Sequence, residues 1–458
     1  MNLPENRVKR VELAHLKRNK YLAENAILRY LVFAALYISE GIPIGITFFA
    51  IPAWLAMNNI PAVEIATYTA VIIIPWTFKL VVAPIMDRYT LLSMGRKRPW
   101  ILMGQIGLFI SVFSMGFTND PLNNLQILTV FGFIISFFGV MQDIAIDGMA
   151  VEIIPKEQQA RANGIMWGSR IIGQSLALVI GTALINTVGF TNAVTSLSFL
   201  VILLLLVPLY FREHRGEKML PWTKGKASSV TKSTHVANWK ELIGNLKKCT
   251  LLSASLLLCL GIFLFGTIAG MVDVLLPIFT VQQLEWTNTA YSQVYSASTI
   301  TAGFIGIFIG GFVIDLLGTK RMILYLLTAL FISFIVFILL SGSWQNNTVV
   351  FGFVIIYYLL YTLATIATLA LGMKLCWQKV SASQFTIYMT LNNLGVSFGA
   401  WLLGKLTLNY DWPVIITCIA IFPLLSFFIF RSIKLEEHLG QIAGLSRKKA
   451  LREETVLD

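Results

Sequence analysis

Apolar residues form twelve long stretches along this chain, separated by short polar connections. A helix of about 20 apolar residues is long enough to cross the roughly 30 Å hydrocarbon layer of a bilayer. Each stretch therefore predicts one transmembrane helix. The predicted spans lie near 28–56, 65–86, 99–118, 125–150, 162–187, 190–211, 251–281, 291–317, 322–341, 348–375, 384–408 and 412–431.

A polar stretch near 212–248, rich in Lys, Ser, Thr and Gly, divides the predicted spans into six and six. The two halves repeat short motifs: IPAW at Pro52 corresponds to LPIF at Pro277, and APIMDRY at Asp87 corresponds to GFVIDLL at Asp315. Their offset of roughly 225 positions is typical of a duplication in parallel orientation. We expect a cytoplasmic segment 1–27, six-helix bundles 28–211 and 251–431, a cytoplasmic linker 212–250 and a cytoplasmic tail 432–458.

The composition agrees with a membrane protein. Only 13% of the residues are charged and 56% are hydrophobic, and the mean hydropathy is +0.74, whereas about a quarter of the residues of soluble proteins are charged. Lys and Arg lie in alternate connections and in both terminal segments, apart from Lys79, Arg170 and Lys405 within spans. By the positive-inside rule, both termini are predicted to face the cytoplasm, in the cell inner (plasma) membrane. The basic segment before the first span lacks the features of a signal peptide, so we expect a mature N-terminus.

The net charge of +12 follows from this topology, and we do not expect binding to nucleic acid. The four cysteines show no CxxC spacing, so they predict packing residues and neither a metal site nor a disulfide framework. The four histidines, which lie in polar segments, offer no imidazole for proton transfer within the spans. We expect no cofactor, a monomer, and the lipid bilayer as the main surrounding partner.

Four acidic residues fall well inside predicted spans: Glu40, Asp143, Asp147 and Asp273. A charged side chain near the bilayer centre costs about 2.5–3.5 kcal/mol, so such residues are usually functional. In the stretch FFGVMQDIAIDGMA, the i, i+4 spacing places Asp143 and Asp147 on one face of a helix. This face is predicted to line a central polar pathway.

Two interpretations of the aspartates remain open at the level of sequence. Lys79 and Arg170 could neutralise Asp143 and Asp147 in buried ion pairs that specify helix packing. Alternatively, two close carboxylates in a low dielectric suit reversible protonation in a proton-coupled carrier, with Glu40 as a further coupling residue. The same two cations could hold an anionic substrate.

The connection between the second and third predicted helices is an acidic and basic loop, DRYT followed by GRKR. A plain cytoplasmic anchor of the positive-inside kind is one interpretation, and a latch on the cytoplasmic gate is the favoured one. The predicted gating residues are Asp87, Arg88, Gly95, Arg96, Lys97 and Arg98.

Several of these stretches together resemble a known family. They are EGIPIGITFFAIPAWL, FKLVVAPIMDRYTLLSMGRKRPWIL, QDIAIDG, SRIIG and SASQF. The chain is similar to the muropeptide permeases (AmpG) and the related acetyl-CoA transporters, within the major facilitator superfamily. The resemblance implies an all-α membrane protein of twelve helices in two six-helix halves, and proton-driven uptake that depends on Asp143 and Asp147. The resemblance also implies that Lys79 and Arg170 correspond to the Lys and Arg of the second and fifth helices in this family.

We therefore expect a secondary active transporter that imports a polar or anionic organic solute, such as a muropeptide, together with protons. The predicted substrate-binding residues are Lys79, Arg170, Gln142, Asp273, Tyr357, Tyr358 and Tyr361. A ferric-siderophore or acyl-CoA permease of the same fold and a non-transporting membrane sensor remain alternatives. An intramembrane enzyme is not expected, because the GxGD and HExxH signatures and a Ser/His pair within a span are missing.

Overall fold

A computed structural model describes residues 21–58, 60, 62–236, 238–286 and 288–454. Most of the predicted basic N-terminal segment thus lies outside the described residues. Long helices occupy all twelve predicted spans. They are α1 (Ala26–Ile44, extended through Gly45–Ala50 and Ile51–Met57), α2 (Ala62–Ile73, Ile74–Phe78 and Lys79–Arg88), α3 (Arg98–Gly116), α4 (Leu125–Ile153), α5 (Gln159–Val188), α6 (Phe190–Tyr210), α7 (Ser253–Ile278), α8 (Asn288–Ile305, Gly306–Gly310 and Gly311–Leu317), α9 (Thr319–Leu339), α10 (Asn347–Leu375), α11 (Ser381–Leu406) and α12 (Trp412–Ser432).

Eleven of these helices, within the described parts of the chain, are apolar enough to be membrane spans by composition alone. The helix outside this set is α11, whose sequence carries Ser381, Ser383, Gln384 and Thr386 in its first turns. These four polar residues are buried, so they face protein. The middle of α11 also carries Asn392 and Asn393. Polar residues in a membrane helix are tolerated when they face the interior of a bundle, so the lower hydropathy of α11 is compatible with a span.

The first two helices are distorted next to their prolines. α1 passes into a π-helical turn, Gly45–Ala50, two residues after Pro43. α2 contains the 3-10 segment Ile74–Phe78, with Pro75 at its start. Proline removes a backbone donor and its ring crowds the preceding turn, so the helix relieves the strain locally. The distortion in α2 comes directly before Lys79, so it sets the position of that side chain.

The chain forms two compact units. The first unit comprises Met1–Ile154 and Gly173–Ala237, and the second comprises Pro155–Ile172 and Asn238–Asp458. The first part of α5 thus groups with the second unit, although the sequence places it in the N-terminal half. The physical reason is close packing on α8: a Cβ at Gly164 would lie 2.5 Å from the Gly306 carbonyl oxygen. The domain boundary at the linker stays a prediction.

Helices α7 and α11 of the second unit also pack backbone to backbone. A Cβ added at Gly270 of α7 would collide with the carbonyl of Val396, and one at Gly395 of α11 would collide with the carbonyl of Phe263. Small residues permit such close approach between membrane helices. This contact fixes the part of α7 that leads to Asp273.

The polar segments outside the spans also form helices. The linker contains the helices Ser229–Thr234 and Trp239–Thr250, and the tail forms α13, Leu435–Glu454. The tail helix is fixed to the second unit by His438, whose Nε2 lies 2.9 Å from the carbonyl oxygen of Leu375.

Candidate functional site

The two aspartates of α4 are buried and have different partners. Asp143 and Asp147 are 2% and 8% exposed. The ammonium of Lys79 on α2 forms an ion pair with Asp143. The hydroxyl of Tyr37 on α1 donates to Asp147. One of the two interpretations left open by the sequence, an ion pair of these cations with the aspartates, thus describes Lys79 and Asp143. Asp147 instead accepts from Tyr37, which was not predicted.

A third carboxylate belongs to the same region of the first unit. Glu40 lies three residues after Tyr37 on α1 and is 1% exposed. Tyr37 is within electrostatic range of Glu40, Asp143 and Asp147. We call Tyr37, Glu40, Lys79, Asp143 and Asp147 the aspartate cluster. Three carboxylates and one ammonium in a buried region form a site where gain or loss of a proton changes the charge balance.

Gln142, predicted to bind substrate, is fully buried next to the aspartate cluster. Its amide donates to the carbonyl oxygen of Leu36 at 3.3 Å, and its Cβ would lie 3.1 Å from a Cβ at Gly104. Gln142 therefore joins α4 to α1 and lies against α3. This position favours a role in helix packing, and its contact with substrate stays a prediction.

Lys79 and Arg170, the two predicted substrate cations, lie in different units. Lys79 is 6% exposed, and its ammonium is 4.6 Å from the ring centroid of Trp76. Arg170 belongs to the part of α5 that groups with the second unit, and it is half-buried. Its guanidinium lies 5.6 Å from the ring centroid of Trp167. Both cations are thus next to an indole, which attracts positive charge through its face.

The second unit contains a group of tyrosines around Asp273 of α7. The hydroxyl of Tyr358 donates to Asp273 at 3.4 Å. The ring of Tyr295 on α8 packs edge-on against Tyr358, with 5.2 Å between centroids. The ring centroid of Tyr357 lies 5.1 Å from that of Tyr358 and 5.7 Å from that of Tyr361. We call Asp273, Tyr295, Tyr357, Tyr358 and Tyr361 the tyrosine cluster.

Asp273 is exposed, although the preceding residues Met271 and Val272 are fully buried. Asp273 therefore keeps an exposed part while its carboxylate accepts from Tyr358. Tyr295 was not predicted from the sequence. The signal that could have found it is the polar composition of α8 around YSQVYSAS, which is unusual for a helix in contact with lipid.

Ion pairs hold the predicted gating loop between α2 and α3 against the neighbouring helices. Asp87 is fully buried and pairs with Lys97 and, at 3.2 Å, with Arg96. Arg96 also lies 3.2 Å from Glu152 at the end of α4, and Lys97 lies 3.6 Å from it. The basic loop is thus fixed to the ends of α2 and α4 by two carboxylates.

Glu213, which follows α6, is a further member of this loop structure and was not predicted. It is 1% exposed and accepts from the backbone N–H groups of Arg96 (2.8 Å), Lys97 (2.9 Å) and Arg98 (2.6 Å). Burial raises the pKa of Glu213, and the charge of Glu152 acts in the same direction. Gly95 has φ +105°, and a Cβ there would lie 2.6 Å from the carboxylate carbon of Glu213, so glycine is required.

Arg98 connects the loop to the start of the linker. Its guanidinium donates to the carbonyl oxygens of Leu209 and Met219 at 2.7 Å and of Lys218 at 2.8 Å. Arg88 lies at the end of α2, with its guanidinium 4.9 Å from the ring centroid of Tyr89. The predicted basic cluster thus divides into Arg96 and Lys97, which meet carboxylates, and Arg98, which holds backbone carbonyls.

A profile of the Major Facilitator Superfamily matches residues 31–400. The chain belongs to this superfamily. As a major facilitator it is a membrane transporter and not an enzyme, which confirms the predicted fold class and function class.

The similar sequences include muropeptide permeases, as expected from the motifs. The chain is 30% identical over 160 residues to the anhydromuropeptide permease of Escherichia coli (strain K12), a match that covers 35% of this chain and 30% of that permease. It is 24% identical over 404 residues to the putative transporter AmpG 1 of Rickettsia bellii (strain RML369-C), covering 86% of this chain and 95% of that protein. The match to the Escherichia coli permease therefore spans less than a third of that protein.

Solved structures show the same fold at low sequence identity. The major facilitator FucP in its outward conformation superposes with a TM-score of 0.68 at 13% identity, over 89% of this chain and 98% of FucP. A bacterial homologue of the iron transporter ferroportin, in its outward-facing state, gives a TM-score of 0.64 at 12% identity, over 89% of this chain and 99% of that one.

Proposed function

We propose that this chain is a proton-coupled importer of a polar or anionic organic solute, with muropeptides as the candidate class. The observation that carries the proposal is the buried ion pair of Lys79 and Asp143 beside Asp147. The similarity to proteins named anhydromuropeptide permease and AmpG supports the substrate class. The proposed location is the inner membrane with both termini in the cytoplasm, because the Lys and Arg residues follow that orientation.

The Lys79–Asp143 pair offers a direct route to coupling. An ionised Asp143 offsets the charge of the Lys79 ammonium in a region of low dielectric. Protonation of Asp143 makes its carboxyl neutral, so the buried ammonium needs another anion. A carboxylate of the solute can supply that charge. Uptake of one proton and binding of one anionic group then favour each other.

Asp147 and Glu40 have a second role in this scheme. They lie one turn and one helix away from Asp143, so their charge affects the free energy of protonating it. The hydroxyl of Tyr37 holds Asp147 in place. Because the three carboxylates lie close together, protonation of one affects protonation of the others.

Within the second unit, the tyrosine cluster is a separate proposed contact for a polar solute. The exposed carboxylate of Asp273 accepts hydrogen bonds from hydroxyl or amide groups. The ring of Tyr295 is 38% exposed and offers a flat apolar face with a polar end, which suits a sugar or aromatic ring, whereas Tyr358 and Tyr361 pack among other rings beside it. Arg170 is a second proposed contact for an anionic group.

Asp147→Asn is the sharpest test, because its amide oxygen still accepts from Tyr37 and the variant should fold. Uptake of labelled anhydromuropeptide into proteoliposomes is measured with and without an inward proton gradient. We expect wild-type uptake to rise with the gradient and Asp147→Asn uptake to lose that dependence. The control is Asp120→Asn in an exposed loop, which should behave as wild type. Unaltered proton dependence in Asp147→Asn would contradict the proposed coupling.

Asp143→Asn tests the ion pair in the same assay. Removal of this carboxylate strands the buried ammonium of Lys79, which costs about 3–5 kcal/mol and should lower the yield of folded protein. Replacing Lys79 by Gln in the same chain should restore the yield without restoring coupling. Ferric siderophores and acyl-CoA are added as competitors to identify the solute. Binding without any uptake would indicate a sensor.

A further inference from the structure

A groove of 890 Å³ lies on the first unit, where α2 ends, α3 begins and the start of the linker crosses. Leu102, Met103 and Ile106 of α3 form one wall. Met103 and Ile106 are 43% and 46% exposed, on a helix that spans the membrane. This wall therefore opens sideways to the hydrocarbon of the bilayer. A ligand in the groove must therefore place an apolar chain against this wall.

The rim of the groove has the composition of a membrane–water boundary. Tyr89, Trp100 and Trp222 line it, and Trp222 is 79% exposed. Trp100 is held by its indole N–H, which donates to the carbonyl oxygen of Tyr89 at 2.6 Å. Tyr and Trp concentrate at the level of lipid headgroups, since their rings are apolar and their tips are polar. The apolar wall and this rim thus meet at the depth where a lipid tail meets its headgroup.

Positive charge is placed at the same rim. Arg88 lines the groove. The Lys218 ammonium donates to the carbonyl oxygen of Pro221, another lining residue, at 3.0 Å. In addition, Nδ1 of His235 is buried at the groove and finds no hydrogen-bond partner among the residues that the structure describes. Burial lowers the pKa of His235, with the charge of Arg96 acting in the same direction, so a neutral imidazole remains to hydrogen-bond a ligand.

We propose that this groove binds one anionic phospholipid of the surrounding leaflet, with an acyl chain along Leu102, Met103 and Ile106 and its phosphate near Arg88 and Lys218. The occupant must be anionic at the rim and apolar along the wall. It must also enter from the membrane. A soluble anion meets only the first requirement, and a neutral lipid meets only the other two.

Native mass spectrometry of the purified protein tests this site. The protein is mixed with equal amounts of phosphatidylglycerol and phosphatidylcholine of the same acyl chains. We expect one phosphatidylglycerol to be retained in preference. Arg88→Gln should lower that preference about fivefold, the effect of one basic side chain near an anionic lipid surface. Arg321→Gln, an exposed cation at the start of α9, is the matched control and should change nothing.

Two substitutions on the same face of α3 test the acyl-chain wall. Met103→Trp fills the groove and should abolish retention of the lipid. Ile110→Trp lies two turns further along α3, at a position that is 54% exposed and outside the groove, and should retain it. Size-exclusion chromatography confirms that each variant is folded.

Three results would overturn the proposal: equal retention of the two lipids by the wild type, equal losses in Arg88→Gln and Arg321→Gln, or displacement of the lipid by excess glycerol phosphate. The last result would show a site for soluble anions.

Discussion

At the scale of single residues, the partners of the buried acids decide what each acid can do. Asp143 meets an ammonium, whereas Asp147 meets a neutral hydroxyl. Removing the charge of Asp143 therefore changes the state of Lys79, and removing the charge of Asp147 leaves its hydrogen bond possible. The two aspartates share one helical face, but mutations at the two positions are expected to differ in their effect on folding.

Glu217, at the start of the linker, gives the protein a dependence on pH outside the membrane. It is fully buried, accepts from the backbone N–H of His214 at 3.0 Å and from the hydroxyl of Thr231 at 3.0 Å. Burial raises its pKa to about 8, and the charge of Glu213 acts in the same direction. The folded protein then binds more protons than the unfolded chain between about pH 4.5 and pH 8. Stability is expected to fall as the pH rises through this range.

The thermal unfolding midpoint in detergent, measured from pH 5 to pH 9, checks this dependence. Glu217→Gln should flatten the decline and should raise the midpoint most above pH 8. The control is Glu437→Gln, whose side chain is 57% exposed in the tail helix. An identical pH profile for Glu217→Gln and the wild type would contradict the prediction.

At the level of helices, some glycines lie where two helix backbones touch, and others have no neighbouring helix close to them. Gly270 and Gly395 lie where α7 and α11 meet backbone to backbone, whereas Gly404, also on α11, has open space around its missing Cβ. All three glycines look alike in the sequence. The distances to the neighbouring helix distinguish them, and no periodicity within one helix reports those distances.

Gly395→Ala is accordingly expected to destabilise the second unit, because the added methyl group meets the carbonyl of Phe263. Overpacking of this kind costs about 1–3 kcal/mol. Gly404→Ala should be neutral or slightly stabilising. The thermal unfolding midpoints of the two variants in the same detergent make the comparison, and a loss of similar size in both would show that helix propensity and not close packing governs these positions.

At the scale of the whole molecule, the predicted orientation of the chain can be tested through its loops. Single cysteines placed in 119–124 and in 219–236 are treated with a membrane-impermeant maleimide on intact cells and on inverted vesicles. We expect the first loop to react from outside and the second from inside, since the linker carries much of the basic charge. The native cysteines are replaced by serine beforehand. Reaction of both loops from the same side would contradict the topology.

The division of the chain into units belongs to the same scale. The sequence places the boundary at the linker, and the structure groups Pro155–Ile172 with the second unit. Contacts of Gly164 and Gly168 with α8 cause this grouping. In addition, Asp315 of α8 accepts from the backbone N–H groups of Ala160 (3.2 Å) and Arg161 (3.0 Å), where its negative charge meets the positive end of α5.

The twelve membrane helices, the family, the distribution of basic loops and the positions of acids within spans could all be predicted from the amino-acid pattern. These features follow from the cost of placing polar groups in hydrocarbon, which acts on each segment separately. Which side chains contact one another became known from the packing of the helices. Tyr37 and Asp147 are 110 positions apart, and Lys79 and Asp143 are 64 apart. The contacts of Tyr295 with Tyr358 and of Glu213 with the loop at Arg96 also join distant segments. Such contacts depend on how the helices pack, and the local sequence pattern does not encode that packing.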